Sequence, residues 1–150
     1  MFDIVAELTP QSVLDALHRR VPLWGLLFLR FSDSAFPDEG WSDCISVCLP
    51  KWLADARTLT HGLMDEIHEE FMDENPRFSF DLRLSAEGPV ALTCREEGRQ
   101  AVKSIELPLR VYTAALARAG RSVLHQVEPL SGPTYPLVEE LKRAIAFFAN

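Results

Sequence analysis

Neither a phosphate-cradling nor a nucleophile-presenting signature occurs in this chain. No GxGxxG, P-loop or GxSxG is present, so dinucleotide-binding folds and nucleophile-elbow hydrolases have no support. Cysteine is scarce. Cys44, Cys48 and Cys94 are an odd number with no export signal in view, so they read as reduced core thiols and not as a disulfide framework. Asp3 and Glu7 sit where a secretory signal needs positive charge and then an apolar run, and the expected compartment is the cytoplasm. Long apolar runs are also missing. The longest, residues 23–29, is far too short to span a bilayer, so no membrane partner is expected. Basic residues number 15 against 22 acids, and the pI of about 5.1 argues against nucleic acid as a partner, since phosphate contacts need clustered Lys and Arg. No internal repeat, low-complexity tract or long linker appears.

The chain does hold enough apolar residues for a core. At 150 residues and 47% hydrophobic it fits one globular domain. Its acidity is concentrated. Residues 33–43 carry Asp33, Asp38, Glu39 and Asp43; residues 65–75 carry Asp65, Glu66, Glu69, Glu70, Asp73 and Glu74; neither stretch contains Lys or Arg. Ten of the 22 acids lie there, and the remaining 12 face 15 bases, so the net charge of −7 is a local property of two segments. Such a pattern suits a protein that presents an anionic surface to a cationic partner.

Thr9 can cap a first helix with Pro10 at its first position and Val13, Leu14 and Leu17 as its apolar stripe. Residues 24–31 read as a strand, residues 32–40 as a loop, and residues 42–49 as a second strand buried on both faces. Pro50 then predicts the start of a long helix to Phe71, with Trp52, Ala56, Leu59, Leu63, Ile67 and Phe71 on one face. Asn75-Pro76 is a turn signal. Residues 78–84 alternate cleanly, Glu87-Gly88-Pro89 turns the chain, and residues 90–95 and 102–106 supply partner strands. A helix from Pro108 to about Gln126 carries Leu109, Tyr112, Leu116, Val123 and Val127 through Gly120, tolerated at roughly 1 kcal/mol. Thr134 and Pro136 open a last helix with Leu137, Leu141, Ile145 and Phe148 inward. The expected fold is α+β: an antiparallel or mixed sheet of four to five strands with helices packed mainly on one face.

Three constellations bear on function. His61, Asp65 and His68, spaced four and three apart, would share one side of the long helix and are metal-ligand types. That side would face water, with no HExxH pattern, so no metal is expected. Cys44 and Cys48, four apart on a strand, would lie roughly 13 Å apart, too far for a bridge or one shared metal. A thiol nucleophile would need a base that nothing in the sequence supplies. No catalytic residue and no cofactor is expected. The third constellation is the loop Phe36-Pro37-Asp38-Glu39-Gly40-Trp41-Ser42-Asp43, where aromatics alternate with acids in a turn that Pro37 restricts and Gly40 permits. Trp41 flanked by acids suits either an anchor with a charged rim or a plug at the end of the sheet.

Phe36-Pro37-x-x-Gly40-Trp41-x-Asp43, the apolar strand expected after it, Trp52-Leu53, and Phe71-Met72-Asp73 before an alternating strand resemble small bacterial immunity proteins of polymorphic toxin systems, over roughly residues 24–127. The resemblance implies a cytoplasmic protein that neutralises a cognate toxin domain by occluding it, and it carries over no catalytic residues. The acidic segments fit inhibitors of basic toxins, nucleases especially. The partner-binding residues expected are Asp38, Glu39, Trp41, Asp43, Glu69, Glu70, Asp73 and Glu74. Two rival classes stay open: a small metal-dependent enzyme using the His61/Asp65/His68 face, and a secretion-associated adaptor or chaperone.

Overall fold

The computed structural model of the chain describes residues 1–74 and 77–148, the Glu74 side chain excepted. The turn expected at Asn75-Pro76 lies outside the described residues. The architecture is α+β, with four helices and two antiparallel sheets of four strands each, where a single sheet of four to five strands was expected.

The first sheet is built on β2 (Trp24–Arg30). β1 (Asp3–Glu7) pairs with it along one edge, while the short β3 (Ala35–Phe36) and β4 (Ser42–Cys44) share the other. β1 was not expected. Its Ile4, Val5 and Ala6 are all buried, so this short strand is fixed by what covers it. β1 and β2 approach closely at Gly25, where a Cβ would lie 2.4 Å from the Glu7 carbonyl oxygen. The outer edge of β1 is closed by helix side chains. Ser122 donates to the Ala6 carbonyl at 3.2 Å, Leu8 N–H donates to Gln126 Oε1 at 2.6 Å, and Arg118 pairs with Asp3 at 3.1 Å.

Helix α1 (Pro10–Arg19) starts where expected. Thr9 Oγ1 accepts from Ser12 N–H, and Ser12 Oγ accepts from Thr9 N–H, a reciprocal capping box. Val13 and Ala16 are its buried pair; Leu14, expected in the stripe, is exposed.

Two expected elements are corrected. The strand over residues 42–49 is only three residues long, and helix α2 (Ile45–Thr60) begins five residues before Pro50. A short, continuously apolar run cannot separate a buried strand from a buried helix. Here Ile45, Cys48 and Leu49 continue the three- and four-residue spacing of Trp52, Leu53, Ala56 and Leu59, and all are buried. The helix also stops at Thr60, not Phe71. Gly62 adopts φ 72°, its N–H donates to the Leu59 carbonyl, and Leu63 N–H donates to the Thr58 carbonyl, each at 3.1 Å. This is a Schellman ending, which needs a residue free to enter the left-handed region.

The second sheet is a meander, β5 (Glu66–Glu74), β6 (Arg77–Leu84), β7 (Pro89–Glu96) and β8 (Ala101–Pro108). Its alternation is strict. Ile67, Glu69, Phe71, Phe80, Leu82, Val90, Leu92 and Cys94 are buried, while His68, Glu70, Arg83, Arg95, Ser104 and Glu106 are exposed. Trp52 of α2 seats its ring edge-on between Phe71 and Phe80, at 5.3 and 5.1 Å. α3 (Leu109–Ser131) brings Tyr112 onto Phe80 and Phe2. α4 (Pro136–Ala146) meets α3 at Gly120, where a Cβ would lie 2.8 Å from Ile145 Cδ1. One buried cluster draws side chains from both sheets and all four helices. No helix among the described residues is long and apolar enough to cross a membrane.

Candidate functional site

The two acidic segments meet at Asp43. Its side chain is fully buried, and its carboxylate accepts four N–H groups: Cys44 N at 2.7 Å, Met72 N at 2.9 Å, Trp41 Nε1 at 3.0 Å and Asp73 N at 3.2 Å. A buried carboxylate is tolerable only with such saturation, and the start of α2 just after it adds a favourable dipole. Two of the donors belong to the outer edge of β5, so Asp43 clips β4 of the first sheet to β5 of the second. The rest of that edge is met by α2: Lys51 donates to the His68 carbonyl at 3.2 Å, and the Cys48 thiol to the Glu70 carbonyl at 3.8 Å.

Asp43, expected at the partner surface, is therefore a structural clip. Trp41 is half-buried, edge-on to Phe78 at 5.1 Å and tied to Asp43. Phe36 packs on Phe71 and Phe78 at 5.9 and 5.4 Å. The aromatics of the loop thus seat it on β5 and β6. Asp38 and Glu39 are exposed at its tip, and Glu39 makes a 3.6 Å ion pair with Arg30.

Glu69 is also corrected, from surface contact to core. Its side chain is fully buried; Oε1 accepts from Lys51 Nζ at 2.7 Å, and Oε2 has no hydrogen-bond partner among the described residues. Burial pushes its carboxyl up to about 9, the Asp55 carboxylate adds to the rise, and Lys51 opposes it only in part. Lys51 also holds Asp55 at 2.7 Å, so one ammonium serves two carboxyls and offsets the burial of Glu69 only in part. The Tyr112 hydroxyl is pushed upward by its own burial and further by Glu69 and Asp55. Glu70 is exposed, Asp73 is half-buried, and the Glu74 side chain lies outside the described residues.

Between α2 and β5 runs a cleft of about 320 Å³, lined by Val47, Cys48, Lys51, His68, Glu70 and Met72. Val47 and Met72 are exposed apolar side chains on it. His68 is held by carboxylates at both ring nitrogens, Asp81 at 2.5 Å and Glu70 at 3.3 Å, and Arg95 holds the other Asp81 oxygen at 3.0 Å. Burial alone would lower the His68 pKa, but Asp81 and Glu70 more than offset it and the value rises. Cys48 shares the cleft, yet its thiol is pushed far up by burial and by Asp43, and it hydrogen-bonds to Asp43 and the Glu70 carbonyl. A protonated thiol beside an imidazole already claimed on both sides is not a nucleophile–base pair. Burial likewise pushes Cys94 up to about 12.

The helix face expected to hold His61, Asp65 and His68 does not form, because α2 ends first. His61 caps α2 and stacks on Phe147 at 4.9 Å, Asp65 lies in the following loop, and His68 is on β5. Among the described residues no group of three or more His, Cys, Asp or Glu is arranged to hold a metal ion. Of the cleft residues, Cys48, His68 and Glu70 stood out in the sequence, each in a different constellation; it is the turn at Gly62 that brings His68, Glu70 and Met72 to face Val47, Cys48 and Lys51.

No protein-family model, no curated protein and no solved structure matches the chain.

Proposed function

We propose that this chain is a binding protein, an immunity-type inhibitor that acts in the cytoplasm and occludes a cationic toxin domain. The observation that carries the proposal is the Asp43 clip: it sets the loop of residues 36–43 against the end of β5, so segments 29 and 30 residues apart contribute to one region. The exposed acids of that region are Asp38, Glu39 and Glu70, with Asp73 half-exposed beside them. The pairs Glu39–Arg30 at 3.6 Å and Glu66–Arg83 at 3.4 Å are solvent-exposed. Such pairs are weak, so a partner's cations can replace the intramolecular ones at little cost. The cleft lined by Val47, Met72, Cys48, Lys51, His68 and Glu70 adds an exposed apolar wall next to these acids.

The test is association with the product of a neighbouring toxin gene, followed from low to high salt. Rim charges mainly steer encounter, so the association rate falls steeply with ionic strength if they engage the partner. A flat salt profile, or full affinity in the protein carrying Asp38→Lys, Glu39→Lys and Glu70→Lys, contradicts the proposal.

A further inference from the structure

Most of the long sheet edges are closed from within. The β1 edge is met by Ser122, Gln126 and Arg118, and the β5 edge by Lys51, Cys48 and Asp43. β8 differs. It pairs with β7 alone, and along residues 101–107 no other backbone hydrogen bond is found among the described residues. Ala101, Val102, Ser104 and Glu106 are exposed. A β-bulge between Ala101 and Lys103 interrupts this edge at its start, but from Lys103 to Leu107 the register with β7 is regular. Such an uncovered edge is a template for another strand unless something blocks it. Lysine is the usual block, but Lys103 is withdrawn: its Nζ lies 2.7 Å from Asp33, 3.0 Å from Ser34 Oγ and 4.7 Å over the Phe31 ring. Beside β8 lies a cleft of about 410 Å³ with an apolar wall of Phe2, Phe31, Ile105, Leu107 and Val111 and a polar one that includes Asp33, Lys103 and Glu106.

We infer that β8 is a strand-addition site for an extended segment of a partner polypeptide, apolar at alternate positions and basic between them. The edge supplies main-chain hydrogen bonds, the cleft takes an inward apolar side chain, and Glu106 faces the outward basic one. Glu106 is exposed and has no ion pair among the described residues. A second copy of this chain is a poorer occupant. Residues opposite one another in an antiparallel pair share a face, and the bulge puts Ala101 on the face of Ser104 and Glu106, so Lys103 would meet Lys103, Ile105 or Leu107, and Glu106 would meet Ala101, Ser104, Glu106 or Pro108. No such register pairs opposite charges. This surface is separate from the loop of residues 36–43 and stands or falls independently of it.

A capped peptide of about eight residues alternating valine and lysine, matched to β8, is the probe. Its amide-resolved NMR titration should move residues 101–107. Replacing its lysines with glutamate should weaken binding roughly tenfold, and Glu106→Lys, at an exposed site, should reverse that preference. N-methylating alternate peptide amides separates edge pairing from general attraction to an acidic protein: one set should abolish binding and the other leave it intact. Equal loss from both sets, shifts mapping away from β8, or a solution dimer dispersed by the peptide would each overturn the inference, the last by assigning the edge to a second copy.

Discussion

Replacing Glu69 with Gln should make the protein more stable at neutral pH and remove much of its pH dependence. The unfolded chain releases this proton near the ordinary value of 4.5, whereas the folded chain keeps it to about 9. Between those values the folded state binds more protons, so stability falls as pH rises, by about 1.4 kcal/mol per pH unit once the unfolded group has ionised. From pH 5 to pH 7 the wild type should lose roughly 2–3 kcal/mol through this one group. Gln mimics the protonated carboxyl: its amide oxygen can still accept from Lys51, now 2.7 Å from Oε1, and it never ionises. The variant and the wild type should therefore be nearly equal near pH 5 and differ by roughly 2–3 kcal/mol at pH 7, which is roughly 5–10 °C in melting temperature for a chain of this size. Denaturant unfolding at half-unit pH steps measures it directly. A stability difference that stays constant from pH 5 to pH 7.5 would refute the raised carboxyl, and a less stable variant at pH 7 would show that Glu69 is ionised and paired.

Asp43→Asn should cost at least about 3 kcal/mol in denaturant unfolding, because an amide NH₂ cannot accept what the carboxylate does and buried N–H groups lose their acceptor; a loss under about 1 kcal/mol would mean the clip is dispensable. Trp41→Ala should destabilise by about 2–3 kcal/mol, less than a fully buried Trp, while Asp38→Lys with Glu39→Lys leaves the melting temperature nearly unchanged and weakens partner binding. His68 should titrate above 6.5, and Asp81→Asn should bring its NMR midpoint down; the stability it contributes is full below 6.5 and is lost as pH rises through the elevated value. Gly25→Ala should destabilise by about 1–3 kcal/mol, since its Cβ would press on the Glu7 carbonyl, a backbone atom that cannot turn away.

What the chain determined by itself are the elements whose signals are local. The Thr9-Pro10 cap, the alternation through residues 78–84 and the helical spacing from Leu109 to Val127 each depend on neighbours a few residues away, and each element formed where those signals lie. The α+β class follows from their order. Tertiary structure decided wherever a local signal was ambiguous or short. Residues 42–49 are apolar enough for strand or helix, and packing of Ile45, Cys48 and Leu49 in the core chose helix. The apolar spacing of Leu63, Ile67 and Phe71 runs straight through Gly62, where the helix ends; the burial of Ile67 and Phe71 on the inner face of β5 turned that spacing from helix to strand. The acids illustrate the same limit. Composition located them in two segments, yet it could not separate Asp43 and Glu69, which are buried, from Asp38, Glu39 and Glu70, which are not. A buried carboxyl needs donors to meet it, and although Trp41 and Cys44 are local to Asp43, its other two N–H donors and the Lys51 ammonium at Glu69 come from residues 18 to 30 positions away, which only the folded chain brings together.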